Sequence, residues 1–220
     1  MKSCRLCSDQ VTYGRTEVWN EPLFESLNFV VLPSLGALVE GWLLLVPKQH
    51  FICIGALPDP MVTEMQEMKH IICLNLQKSY GQVCAFEHGP SKANCSVGCG
   101  VDHAHLHFVP VAFDLSSAAT PYLPEKISWS DAGPEECRAA FNRGEDYLYL
   151  EQPIGAGRIA TGQNFGSQVF RRAIAAQVGA VNQFNWREYP QLQNVSATIE
   201  EMQAWDRTKL AYESRPEVAA

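Results

Sequence analysis

Apolar positions along the chain change period several times, and each change marks an element. Residues 27–32 and 42–46 are short runs rich in Phe, Val, Leu and Trp, bounded by Pro and Gly. Such runs read as buried strands, and the turn between them predicts an antiparallel pair. The apolar stretch from Phe29 to Pro47 is long enough for a membrane span, but Pro33, Ser34, Gly36, Glu40 and Gly41 interrupt it, which predicts two core strands instead. Asp59 is expected to cap a helix whose first residue is Pro60. Met61, Met65, Met68, Ile72 and Leu76 then follow the spacing of one helix face, and Gly81 ends it. Two more strands are expected at 82–87 and 103–111, separated by a loop over 89–100 that is rich in Gly, Ser, Asn and Cys.

Past Phe113 the pattern loosens. Pro121, Pro124, Gly133 and Pro134 punctuate an irregular connection before apolar alternation returns at 147–150, with a further extended piece near 158–160. Residues 167–178 carry a helical pattern closed by Gly179. Thr198 with Glu201 matches a capping box that would open a polar C-terminal helix. With no internal repeat, the expected organisation is a core over 1–115 and a structured α/β extension over 116–220 packed on it.

Composition narrows the class. The 220 residues are 46% apolar and 19% charged, as in a folded protein with a sizeable core. A net charge of −7 argues against broad nucleic-acid binding, which requires a basic surface. Cys4, Arg5, Cys7, Ser8, Asp9 and Gln10 leave no apolar run for a signal peptide, so a cytoplasmic protein is expected. In that setting the eight cysteines read as free thiols and metal ligands, not as a disulfide framework.

The densest chemistry is His103-Ala104-His105-Leu106-His107. On a strand, alternate residues share a face, so the three imidazoles would stand in a row roughly 6–7 Å apart with Ala104, Leu106 and Phe108 behind them. A neutral imidazole near pH 7 is a competent nucleophile at phosphorus. Two blander readings compete: three ligands of one metal, or polar decoration of an edge strand. Cys4-Arg5-Leu6-Cys7 has the spacing with which two thiolates grip one tetrahedral Zn²⁺, and His50 and His103 would complete a closed, structural Cys₂His₂ set. The competing readings are two unpaired cysteines, or a Cys95–Cys99 pair.

Together these residues resemble the histidine triad superfamily, whose signature of alternating histidines and apolar residues is matched by residues 103–109. Gly98-Cys99-Gly100-Val101-Asp102 leads into it, and Leu44-Leu45-Val46-Pro47-Lys48-Gln49-His50 matches the family's strand-Pro-x-x-His element. The resemblance spans roughly residues 4–112. It implies an α+β fold with a mostly antiparallel five-stranded sheet and flanking helices, frequent homodimers, and nucleotide or nucleotide-conjugate substrates. It also implies that His105 attacks the α-phosphorus to give a nucleotidyl-histidine, that His107 binds phosphate or supports the leaving group, and that Cys4, Cys7, His50 and His103 hold zinc. The activity implied is a nucleotide hydrolase or nucleotidyltransferase. Alternatives are a non-catalytic nucleotide-binding scaffold, or an enzyme acting on nucleic-acid ends.

The chain departs from the family in two places. Cys99 and Gly100 stand where many members carry a phosphate-holding Gln, Ser or Thr, so backbone N–H groups of a Gly98–Gly100 nest are expected to serve. Pro33 and Ser34 stand where relatives place a ribose-binding Asn or Asp. Glu87, His88 and Asn94 approach the loop and are candidates for substrate contact or for turn geometry alone. In the extension, Gln168, Arg171 and Arg172 form a basic patch suited to phosphate, although a solvated helix face is the simpler expectation. Trp186 and Trp205 read as packing anchors ahead of base-stacking platforms.

Overall fold

The computed structural model describes Cys4, Leu6, Cys7, residues 17–98, 100–153, 156–203 and Trp205. Short continuous apolar runs become strands and the period-3.6 stripe becomes a helix. The chain passes through β1 (Phe24–Glu25), β2 (Phe29–Pro33), β3 (Leu43–Pro47), α1 (Asp59–Tyr80), β4 (Val83–Gly89) and β5 (Leu106–Pro110). It continues through α2 (Leu115–Ala119), β6 (Ser130–Asp131), α3 (Pro134–Asn142), β7 (Asp146–Glu151), β8 (Arg158–Gly162), α4 (Val169–Gln177) and α5 (Leu192–Gln203). The expected β2–β3 pair forms, antiparallel, with Val31 opposite Leu45. Among the described residues no helix is long and apolar enough to cross a membrane.

Among the described residues the sheet has eight strands in the order β1-β2-β3-β5-β4-β7-β8-β6, with every neighbouring pair antiparallel. The expected five-stranded sheet is therefore corrected to one of eight strands. Five strands would leave one edge of β4 open, and an open apolar edge exposes unpaired N–H and C=O groups. β7 satisfies that edge, pairing from Ala85 opposite Glu151 to Gly89 opposite Tyr147. β8 and β6 then extend the same ladder.

Both faces of the sheet are covered, so its central strands are apolar on both sides. α1 lays Met61, Met65, Met68, Ile72 and Leu76 against one face, where Leu45, Leu106 and Phe108 await it. The other face, carrying Trp42, Phe86, Val109 and Leu148, is covered by Leu115 of α2 and by Phe170 and Ile174 of α4. At roughly 25 cal/mol per Å² of apolar surface, exposing that second face would be costly, which is why the C-terminal helices dock on it.

Three local expectations are corrected. Pro58, not Asp59, is the N-cap of α1; Asp59 lies inside the helix and accepts a hydrogen bond from Arg138. Thr198 does not open a helix: α5 begins six residues earlier at Leu192. Its buried hydroxyl instead accepts from the Gly41 N–H at 2.8 Å and donates to the Asn194 carbonyl at 2.7 Å. The histidine strand starts late, at Leu106, because the Ala104 N–H is taken by the Phe51 carbonyl at 2.6 Å. Only His107 lies in the ladder; His103 and His105 sit on the segment feeding it.

Candidate active site and metal cluster

The β5 register puts His107 opposite Leu44 on one side and Phe86 on the other. Its ring stacks on Phe86 at 4.5 Å between centroids and 16° between planes. The Trp42 indole N–H donates to His107 Nδ1 at 3.0 Å. An accepting Nδ1 places the ring proton on Nε2, and that buried Nε2 has no hydrogen-bond partner. Burial, with help from neighbouring His105, His88 and Arg171, pushes the His107 pKa well below the usual histidine range. His107 is therefore a neutral ring presenting an N–H donor.

His105 takes the opposite tautomer. Its Nδ1 lies 2.6 Å from the His103 carbonyl oxygen; a carbonyl only accepts, so the proton is on Nδ1 and the basic lone pair on Nε2. The His105 and His107 rings meet edge to face at 4.8 Å, and both line one cavity together with Leu32, Ser34, Leu44 and Arg171. Trp42→Phe is expected to free His107 Nδ1 and mix the two His107 tautomers, as read by imidazole ¹⁵N NMR. The loss of a buried donor should cost about 1–3 kcal/mol in denaturant unfolding. An unchanged tautomer in that variant would remove Trp42 from the site.

A second cluster lies just upstream. The donor atoms of Cys4, Cys7, His50 and His103 all fall within 4.8 Å of one another. Cys4 Sγ is 3.3 Å from His103 Nδ1, and Cys7 Sγ is 3.4 Å from His50 Nδ1 and 3.9 Å from His103 Nδ1. With Zn–S about 2.3 Å and Zn–N about 2.0–2.1 Å, a tetrahedron has sulfur–nitrogen edges of roughly 3.5 Å, so these separations fit one ion of that size. His103 Nε2–H donates to the Pro47 carbonyl at 2.8 Å, which turns Nδ1 toward the thiols and fixes its tautomer, as outer hydrogen bonds do for metal-binding histidines.

The other expected residues divide. His88 is buried on β4, its Nε2 accepting from the Phe170 N–H at 3.4 Å while Nδ1 has no partner. Burial first, then His105 and Arg171, lowers its pKa to about 3. Gln168 is the N-cap of α4 in the left-handed region, buried, with its Oε1 unpartnered. Arg171 is no solvated helix face: it is 1% exposed. Its Nε donates to the Phe184 carbonyl at 2.8 Å, a second nitrogen donates to the Gly36 carbonyl, and the guanidinium covers the Trp42 ring at 4.8 Å. Arg172 instead stacks on Phe184 at 4.9 Å.

Two carbonyls of the glycine loop are engaged within the protein. The Gly98 carbonyl accepts from Ser167 Oγ at 2.9 Å and the Gly100 carbonyl accepts from Arg187 at 2.8 Å. Cys99, the middle of the expected nest, lies outside the described residues. Asn94 is exposed, its N–H bound to Asp102 at 3.0 Å, and it does not line the histidine cavity. Trp205 is a buried packing residue beside Phe24, whereas Trp186 lines the cavity. Trp19, Asn20 and Trp42 also reach the site. Only Trp42 carried a sequence signal, as part of an apolar strand, and that signal said core.

Glu87 is buried and does not line the cavity. Its carboxylate accepts from the Tyr147 hydroxyl at 2.5 Å and the Ile54 N–H at 2.8 Å. Burial raises its pKa from 4.5 to about 7 against those two hydrogen bonds. A raised folded-state pKa means that the native protein holds the extra proton. The associated stability is full below about pH 4.5 and is lost as pH rises through 7. From pH 6 to 8.5, unfolding free energy should fall by about 1 kcal/mol through this group. Glu87→Gln should flatten that slope in urea titrations, and an unaltered slope would assign the pH dependence elsewhere.

No family model matches the chain, and no curated protein matches it. Solved structures with partial likeness include a hypothetical histidine triad nucleotide-binding protein from Sulfolobus tokodaii strain 7. It is 17% identical over 64% of this chain and 88% of that chain, with a TM-score of 0.39. A Zn-bound histidine triad family protein from Mycobacterium smegmatis is 22% identical over 62% of this chain and 94% of that one, with a TM-score of 0.38. A uridylyltransferase is 8% identical over 83% of this chain and 87% of that one, also with a TM-score of 0.38.

Proposed function

We propose that the protein is a nucleotide hydrolase or nucleotidyltransferase in which His105 is the nucleophile. The observation that carries this reading is the paired tautomers: His105 holds its proton on Nδ1 against the His103 carbonyl, and His107 holds its own on Nε2 against the Trp42 indole. In the reaction, the His105 Nε2 lone pair forms a bond to the α-phosphorus. The bond from phosphorus to the leaving group breaks, and the leaving group departs with the electron pair. The Nδ1–H···O=C bond to His103 steadies the positive charge that the imidazole acquires on becoming a nucleotidyl-histidine. The His107 Nε2–H donates to a phosphoryl or leaving-group oxygen, where charge develops. Water or another acceptor then attacks phosphorus and restores His105.

Cys4, Cys7, His50 and His103 would hold a zinc ion in a closed set, supplying structural cross-linking with no open position for a reactive water. Because His103 is both a ligand and the backbone anchor of His105, metal binding and nucleophile placement share one residue. Residues 1–115 thus carry the nucleophile, and 116–220 contribute Arg171 and Trp186 to the cavity.

The test is intact-protein mass spectrometry after brief mixing with dinucleoside polyphosphates, nucleoside phosphoramidates and nucleotide sugars. A nucleotide-sized adduct on wild type and none on His105→Ala is expected, and its mass names the transferred group. If neither protein forms an adduct or consumes any substrate, a binding role replaces catalysis.

A further inference from the structure

The connection between α4 and α5 lies against both loops that frame the histidine cavity. At one end it meets the β2–β3 turn, where the Gly36 N–H donates to the Pro190 carbonyl at 2.7 Å. A Cβ on Gly36 would sit 2.5 Å from the Trp186 Cβ and 2.7 Å from its Cα, so the root of the Trp186 side chain is seated directly on that turn. At the other end, Arg187 donates to the Gly100 carbonyl at 2.8 Å. Its guanidinium fills the place of a Gly100 side chain, 2.2 Å from where a Cβ would lie. Gly36 and Gly100 both have positive φ, 75° and 80°, a conformation that favours glycine. Each position therefore admits the strap on two grounds. The Arg187 guanidinium also lies over the Trp186 ring at 4.5 Å, packing the indole beside the loop.

We propose that Trp186 is a specificity-determining wall of the site, selecting substrates in which the sugar on the phosphorus attacked by His105 carries a planar aromatic base. The inference rests on the nucleotidyl-transfer reading above and names the part of the substrate that the C-terminal segment recognises. Beyond the groups that meet the phosphate, the cavity lining is largely apolar and aromatic. Trp19 and Trp186 line it with Leu32, Leu35, Leu44 and Val101, and among the described residues its polar lining comes from Asn20, Ser34, Arg171 and the two histidines. A base gains by stacking on an indole whichever base it is, because every base has a π face. An indole pinned by Arg187 loses little rotamer freedom when the base arrives. The wall thus discriminates base from no base more strongly than one base from another.

Calorimetric titration of the zinc-loaded full-length protein with AMP and with ribose 5-phosphate tests this. Wild type should bind AMP at least about tenfold more tightly than ribose 5-phosphate. Trp186→Ala should weaken AMP roughly tenfold and leave ribose 5-phosphate within about twofold, with Trp186→Phe recovering part of the loss. Trp186→Leu keeps bulk against Gly36 without a π face and serves if the alanine variant does not fold. An unchanged AMP preference in folded Ala and Leu variants overturns the wall while leaving nucleotide chemistry standing. Equal weakening of both ligands also overturns it, since that is a general packing effect. Absence of AMP binding to wild type, together with absence of any adduct in the trapping experiment, removes both readings.

Discussion

His105→Ala is expected to lower turnover of the substrate identified by adduct trapping by at least about 10⁴-fold, the scale on which loss of a covalent nucleophile registers. The substitution removes the only atom assigned to bond phosphorus and leaves the rest of the site in place. His107 keeps its hydrogen bond from Trp42 and its stack on Phe86, and the metal cluster keeps its four side chains. Stability should change little, by about 1 kcal/mol for the lost Nδ1–H···O=C bond, so thermal unfolding and zinc content serve as controls. The loss should appear in kcat and in kcat/KM alike, because the bond to phosphorus forms only on the way to the intermediate. A variant that retains a tenth of wild-type turnover would show that His105 is not the nucleophile.

Cys4→Ser should reduce bound zinc from close to one equivalent per chain to a small fraction, as measured by inductively coupled plasma mass spectrometry on dialysed protein. It should also lower unfolding free energy by on the order of 4 kcal/mol. A serine hydroxyl is a poor ligand beside a thiolate, and the three donors left do not close a tetrahedron. The small cluster of Leu6, Val30, Leu32 and Val46 would then lose the cross-link that a zinc ion held by Cys4 and Cys7 would supply. A strong chelator should destabilise wild type in the same direction and leave Cys4→Ser unaffected. The effect should reach activity as well, since His103 supplies the carbonyl that orients His105. Full zinc occupancy in Cys4→Ser would sink the assignment.

What the sequence by itself determined is everything encoded by spacing along one element. The apolar stripe of α1 lies on one face of the helix because 3.6 residues make a turn, and β2 with β3 followed from two apolar runs and a turn. Spacing pointed to His105 and His107 as neighbours in one site, where the structure places both in one cavity, and the two-residue gap of Cys4 and Cys7 suited two sulfurs to one place. His50 and His103 were found by their places in recognisable segments, and the structure brings all four side chains together.

What only the tertiary structure decided is who meets whom across the chain. That β7 would close the open edge of β4 depends on two strands some 60 residues apart in sequence, and no local periodicity states a partner. Trp42 and His107 are hydrogen-bonded because β3 and β5 pair in one particular register; a slip of one residue would turn each side chain to the opposite face. Arg171 looked like a surface cation because charge alone predicts exposure, yet carbonyls of Gly36 and Phe184 and the Trp42 ring receive it in the interior. Trp186 looked like a packing anchor, and the docking of α4 placed it in the cavity wall. Spacing fixes the direction of a side chain relative to its own backbone, whereas its neighbours are set by which faces and edges the whole chain must bury together.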